Sequence, residues 1–173
     1  MNATPFTARV TYALKSDQYL RIYTDQESIY FVRIAGQPLA AGVAAGLRSQ
    51  LGLLGEALGT GLLKRAKKKI AELGDSADQS DYRTLVMTGK LSFKKHRSEI
   101  RSSEINSAEA ISGHGLHEGV WRLELTDGKK LRLQFEEVAD MQAAIDVLPN
   151  VLGDLHTANV VWDDYRQVFQ KAR

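Results

Sequence analysis

Between Trp121 and Phe135 the apolar residues fall on alternate positions twice over. Trp121, Leu123 and Leu125 are separated by Arg122 and Glu124, and Leu131, Leu133 and Phe135 by Arg132 and Gln134. A two-residue period of this kind belongs to a strand with one buried face. Asp127-Gly128 between the runs suggests a two-residue hairpin loop, but parity disallows it. Pairing Thr126 with Lys129 would set Leu125 opposite Lys130 and send the two apolar sets to opposite faces of the sheet. A three-residue connection restores agreement and requires Gly128 in the left-handed region of a bulge-type turn.

The same period opens the chain. Phe6, Ala8, Val10, Tyr12 and Leu14 share one parity, with Thr7, Arg9 and Thr11 between them. Lys15, Ser16 and Asp17 are expected to turn the chain into a strand over Tyr19 to Thr24. Asp25 to Ser28 turn it again into Ile29 to Ile34, giving an antiparallel meander. A second β block starts at Lys90, where Leu91 and Phe93 alternate with Ser92 and Lys94. Ile100, Ile105 and Ile111 then fit two edge-like strands broken near Asn106 and Ser107, and Gly113 to Gly119 reads as a loop.

Between these blocks the period changes. From Leu39 to Leu73 good helix formers dominate, and Leu47, Leu51, Leu54, Leu58 and Leu62 recur at steps of three and four. Gly42 with Gly46, and Gly55 with Gly59, add small residues spaced by four, which let another backbone approach closely. Each glycine costs about 1 kcal/mol of helix propensity against alanine, so close packing or a break must offset it. The expected form is a helical hairpin or kinked helix broken near Arg48 to Gly52. Arg48 and Glu56 argue against a membrane span, because an arginine near the bilayer centre costs about 2.5–3.5 kcal/mol. Lys64, Arg65, Lys67, Lys68 and Lys69 finish this helix, where exposed carbonyls favour cations. Gly74 to Ser80 reads as a polar linker, and Asp81 to Met87 as one or two further helical turns.

After the hairpin, Glu136 to Val147 is expected to be an amphipathic helix with Val138, Met141, Ala144, Ile145 and Leu148 on one face, ended by Pro149 and Gly153. Val160, Val161, Trp162, Tyr165, Val168 and Phe169 make the last segment too apolar for a free tail. A docked helix or an oligomer contact is the expectation there. A chain of 173 residues with 43% hydrophobic and 25% charged residues is then one domain. It covers residues 1–153, with a helical insert at 38–88 and a C-terminal segment at 154–173. Disulfides and thiolate chemistry are excluded, since there is no cysteine. The polar start of the chain lacks the apolar run of an export signal, so a cytoplasmic protein is expected, with peripheral membrane association allowed.

Several stretches in this order carry a resemblance: Ser98-Glu99-Ile100 before a strand, Trp121-Arg122-Leu123-Glu124-Leu125, the Asp127-Gly128-Lys129-Lys130 turn, and the helix after Phe135. Together with the opening meander they resemble a bacterial pleckstrin-homology-like (PH-like) domain. The resemblance implies an α+β fold, an antiparallel β-barrel or sandwich capped by a C-terminal amphipathic helix. The helical hairpin would be an insertion outside the common scaffold. It also implies binding of peptides, proteins or lipid headgroups. The basic signature of phosphoinositide-binding members is missing from the first hairpin, which holds only Lys15 and Arg21 with Asp17 between them.

No catalytic, cofactor or metal site is expected. There is no Gly-x-Ser-x-Gly elbow, and Gly59-Thr60-Gly61 with Lys64 lacks the spacing of a phosphate loop. His114 and His117 beside Glu118 form an HxxH pair in a glycine-rich loop, which reads as solvated loop rather than metal ligands. Two surfaces remain. Lys64, Arg65, Lys67, Lys68 and Lys69, joined by Lys94, Lys95 and Arg97 and flanked by Lys90 and Arg101, form a candidate patch for an anionic ligand. Leu47, Leu51, Leu54, Leu58, Gly55 and Gly59 form a candidate interface. The net charge of +2 conceals a split: +1 over residues 1–63, +6 over 64–101 and −5 over 102–173. That split suits basic-to-acidic contacts between copies, or an anionic membrane surface, better than nucleic acid. The expected function is a non-enzymatic protein-interaction module that self-associates, with peripheral binding of anionic lipid headgroups as the alternative.

Overall fold

The computed structural model describes residues 4–12, 15–36, 64–88, 97–113 and 118–172. The alternating segments form strands β1 (Phe6–Tyr12), β2 (Lys15–Thr24), β3 (Ser28–Gly36), β4 (Arg97–Arg101), β5 (Ile105–Ser112), β6 (Gly119–Leu125) and β7 (Lys130–Phe135). With β8 (His156–Ala158) they make one eight-stranded sheet in the order β4-β3-β2-β1-β7-β6-β5-β8. Neighbours run antiparallel except β5 and β8, which are parallel. The fold is therefore mixed α+β, and among the described residues β4 and β8 are the edge strands and no barrel closes.

The hairpin parity holds. Leu123 pairs with Leu131 and Trp121 with Leu133. Leu125 N–H donates to the Lys129 carbonyl (2.8 Å), Gly128 N–H donates to the Leu125 carbonyl (2.9 Å), and Gly128 has φ +81°. Thr126, Asp127 and Gly128 thus form the three-residue connection, with glycine where a left-handed residue is needed. Elsewhere the boundaries move. Lys15 to Asp17 belong to β2 rather than to a turn, and the second block breaks at a 3-10 turn over Ser102–Glu104, with a register shift between Ile105 and Ser107.

Helix α2 (Val138–Leu152) buries Met141, Ala144, Val147, Leu148, Val151 and Leu152, a three- and four-residue spacing that presents one side to the sheet. It runs past the expected last residue Val147 and through Pro149, and stops at Gly153, one of the two expected terminators. Met141, Ala144, Leu148, Val151 and Leu152 share one core with Phe6, Ala8 and Val10 of β1, Ile22 of β2, Trp121 and Leu123 of β6, and Leu133 and Phe135 of β7. Full burial of each large apolar side chain contributes about 1.5–3 kcal/mol.

The C-terminal segment is not helical. After β8 it forms an antiparallel pair, β9 (Val160–Asp163) and β10 (Val168–Lys171). Pleating points Val160, Trp162 and Phe169 the same way, and Val160 and Phe169 join the core, with Trp162 edge-on to Phe169 at 5.0 Å.

Residues 64–88 form helix α1, which crosses the expected linker Gly74 to Ser80 without interruption and contains a π-helical turn at Asp78–Tyr82. It lies on the opposite face of β1 to β3, where Leu85 packs with Tyr23, Tyr30 and Val32, and Tyr82 stacks on Tyr23 at 5.2 Å. Of the hairpin or kinked helix expected over Leu39 to Leu73, residues 64–73 are helical, and residues 39–63, with the expected break near Arg48 to Gly52, lie outside the described residues.

One core-edge group makes stability depend on pH. His156 is more than half buried, among the described residues its Nε2 meets no hydrogen-bond partner, and burial holds its pKa below the ordinary imidazole value. The folded state therefore prefers the neutral ring. Its contribution is complete above the unfolded pKa of about 6.5 and is lost as pH falls through the lower folded value. Urea midpoints measured across this range should fall on acidification more steeply for the wild type than for His156→Gln; parallel slopes would exclude the effect.

Candidate functional site

On β1 and β2 the residues between the apolar positions face away from the main core. They are Thr7 and Arg9 on β1 and Tyr19, Arg21 and Tyr23 on β2, with Thr7 opposite Arg21 and Arg9 opposite Tyr19. Two arginines and two tyrosines on adjacent strands need partners if anything covers them. Helix α1 covers them, and the partners come from it and from the β7–α2 junction.

Arg21 is the centre. Its Nε and Nη2 donate to both oxygens of Asp78 at 2.9 and 2.6 Å, and its Nη1 donates to Thr7 Oγ1 at 2.9 Å. Tyr23 Oη donates to the same Asp78 at 2.9 Å. Burial works against the charge on Arg21, but the hydrogen bonds and charge of Asp78 outweigh it and raise the guanidinium pKa. Burial, reinforced by Asp78, drives the Tyr23 phenol far above its ordinary value. Beside this group, Arg9 reaches Gln134 at 2.7 Å and Glu136 at 3.0 Å. Tyr19 Oη donates to both Glu136 oxygens at 2.8 and 2.9 Å, and its pKa is raised strongly by burial and then by Glu136. Asp140, in the first turn of α2, accepts the Thr7 N–H at 2.7 Å and stands 3.9 Å from Arg21; burial raises its pKa. The phenols hold their protons as donors and the carboxylates accept, an arrangement suited to binding and positioning.

Between α1 and this floor lies a partly open cavity of about 170 Å³. Ile70, Ala71 and Asp75 of α1 line its roof, and Lys67 reaches across to Glu137 at 2.7 Å. A larger open groove, about 1090 Å³, runs between the β2–β3 turn, β4 and α2 and carries Asp25, Glu27, Glu99 and Asp146 with Arg101. Asp25 is already engaged there by the amides of Glu27 and Ser28 and by Tyr30 Oη, whose pKa burial and Asp25 push up to about 12.

The candidate basic patch is spread over different elements. Lys64, Arg65, Lys68 and Lys69 are exposed on α1, Lys68 lying 3.8 Å from Glu72, while Lys67 is drawn to Glu137. Arg97 begins edge strand β4 opposite Val32, and Arg101 lies 3.9 Å from Glu99. Lys90, Lys94 and Lys95, the candidate interface of Leu47, Leu51, Leu54, Leu58, Gly55 and Gly59, and His114 with His117 lie outside the described residues. Arg9, Tyr19, Arg21, Tyr23, Asp78, Glu136 and Asp140 were not singled out by sequence. The signal for them was the composition of the polar parity of β1 and β2, arginine and tyrosine where a solvated face would carry lysine, serine and threonine.

Compared with known proteins, the chain matches no family model, no curated protein and no solved structure. Among the described residues no helix is long and apolar enough to cross a membrane.

Proposed function

We propose that the chain is a non-enzymatic protein-interaction module of PH-like architecture that self-associates. The observation that carries this reading is the outer side of the β9–β10 pair. Val161 is 54% exposed, Tyr165 at its tip 96% and Val168 39%, while Val160 and Phe169 on the other side anchor the pair in the core. A rigidly held apolar surface with a tyrosine at its tip has the composition of an interaction anchor. The PH-like assignment draws support from the strand order β4-β3-β2-β1-β7-β6-β5, two consecutive meanders joined through β1 and β7 and followed by a helix. Self-association draws further support from the charge split, because the acidic groove on one copy complements the cations exposed on α1 of another.

Light scattering should give a mass that is a multiple of 19.2 kDa. Val161→Asp with Tyr165→Ser should weaken association about tenfold or more, by removing apolar contact area. A clean monomer at high concentration would sink the reading.

A second reading, peripheral binding of anionic lipid headgroups, is favoured by the exposure of Lys64, Arg65, Lys68 and Lys69 along one end of α1. It requires salt-sensitive pelleting with acidic liposomes, lost in Lys68→Glu/Lys69→Glu. Pelleting that is absent or indifferent to salt removes it.

A further inference from the structure

We propose that the cavity beneath α1 binds a small zwitterion, an amino acid with a short aliphatic side chain. Its volume of about 170 Å³ is close to that of a cavity that holds a benzene-sized molecule, room for roughly six to eight heavy atoms. Beside their apolar surface the walls carry Arg9, Arg21 and Lys67 together with Asp75, Glu136, Glu137 and Asp140.

Most of these charges are already matched. Arg9 meets Glu136 at 3.0 Å, Lys67 meets Glu137 at 2.7 Å, and Arg21 is forked onto Asp78. Three cations face four carboxylates here and Arg21 is already held by Asp78, so a net anion is disfavoured, while a ligand bearing an ammonium and a carboxylate meets groups of both signs. The cavity can receive both groups. Lys67 has three N–H donors and one close carboxylate partner, Glu137, so it can also meet a ligand carboxylate. Asp140 holds the Thr7 amide at 2.7 Å and stands 3.9 Å from Arg21, which leaves acceptor capacity for an ammonium. Burial already raises the proton affinity of Asp140, and a cation beside it would relieve that cost. Ala8, Ile70 and Ala71 supply the apolar part of the wall, enough for a methyl or similarly short side chain. Four carboxylates around the space disfavour a phosphate dianion. Among the lining residues Lys67 and Glu137 have side chains 39% and 54% exposed, so both reach solvent.

The experiment is titration calorimetry and amide chemical-shift mapping on the full chain with glycine, L-alanine and L-serine, using acetate and methylammonium as half-ligands. The zwitterions should bind at least about tenfold tighter than either half-ligand. Ala71→Phe, which fills the space, should abolish binding, and Lys67→Met should weaken it about tenfold. Absence of shifts with every probe, equal affinity for a half-ligand, or binding that survives Ala71→Phe would each overturn the proposal. If Ala71→Phe does not fold, Lys67→Met and Asp75→Asn on the rim decide it: affinity unchanged in both overturns it, and a loss in either, with shifts at Thr7 to Arg9, supports it.

Discussion

Replacing Arg21 by alanine should destabilise the fold by about 3 kcal/mol, the lower end of the range for breaking a buried ion pair. Asp78 would be left with Tyr23 as its donor, and Thr7 Oγ1 would lose the guanidinium. Asp78→Ala should cost a similar amount, because Arg21, with a side chain only 15% exposed, would keep, among the described residues, no carboxylate closer than Asp140 at 3.9 Å. The loss should concentrate in α1. Among the described residues its buried apolar side chains are Ala77 and Leu85, so its position depends heavily on the polar fork and on Tyr82 stacked against Tyr23. Amide exchange over residues 70–85 should therefore accelerate more than exchange in β6 and β7. Arg21→Met combined with Asp78→Leu should recover much of the stability, since removing both charges leaves neither stranded. A loss under about 0.5 kcal/mol in Arg21→Ala would mean that the pair behaves as a solvated surface contact and that something else holds the helix.

That same helix shows where sequence reading stopped. The β6–β7 hairpin was legible because both strands alternate strictly and parity alone selects the loop length. Gly74 to Ser80 reads locally as a linker, with Gly74, Asp75, Ser76 and Asp78 all poor in helix propensity. What overrides propensity there is distant: Arg21 and Tyr23 on β2 converge on Asp78, which no local window can contain. The helix expected as one alternative for the C-terminal segment fails for a different reason. Val161, Tyr165, Val168 and Phe169 are spaced as one side of a helix would be, yet Val160, Val161 and Trp162 are equally a short strand, and a run this short does not separate the two periods. Asp163 decides it by accepting the amides of Tyr165 and Arg166 and so closing the turn into β10. The candidate cavity was illegible as a site because its walls come from β1, β2, β7, α1 and α2, and each contributes charges that look like ordinary surface residues in isolation.

The largest single loss should come from Trp121→Ala, about 3–5 kcal/mol, a large share of the 5–15 kcal/mol typical of a whole domain. Trp121 is completely buried on β6, between Ala110 of β5 and Leu133 of β7. The small residues Ala108 and Ala110 make room for it, so the indole occupies volume that β5 does not fill. Truncation would leave a cavity that β-pairing on both sides prevents from collapsing. Trp121→Phe should cost far less, about 1 kcal/mol. Among the described residues no acceptor reaches the indole Nε1, so the exchange removes a buried donor that makes no hydrogen bond along with part of the ring. Ala110→Val alone should overpack against the indole by about 1–3 kcal/mol. Added to Trp121→Phe, the same substitution should fill the vacated space, making the double variant more stable than the sum of the two singles. Urea unfolding of the four proteins measures this coupling directly; strict additivity would show that Trp121 and Ala110 do not share one packing volume.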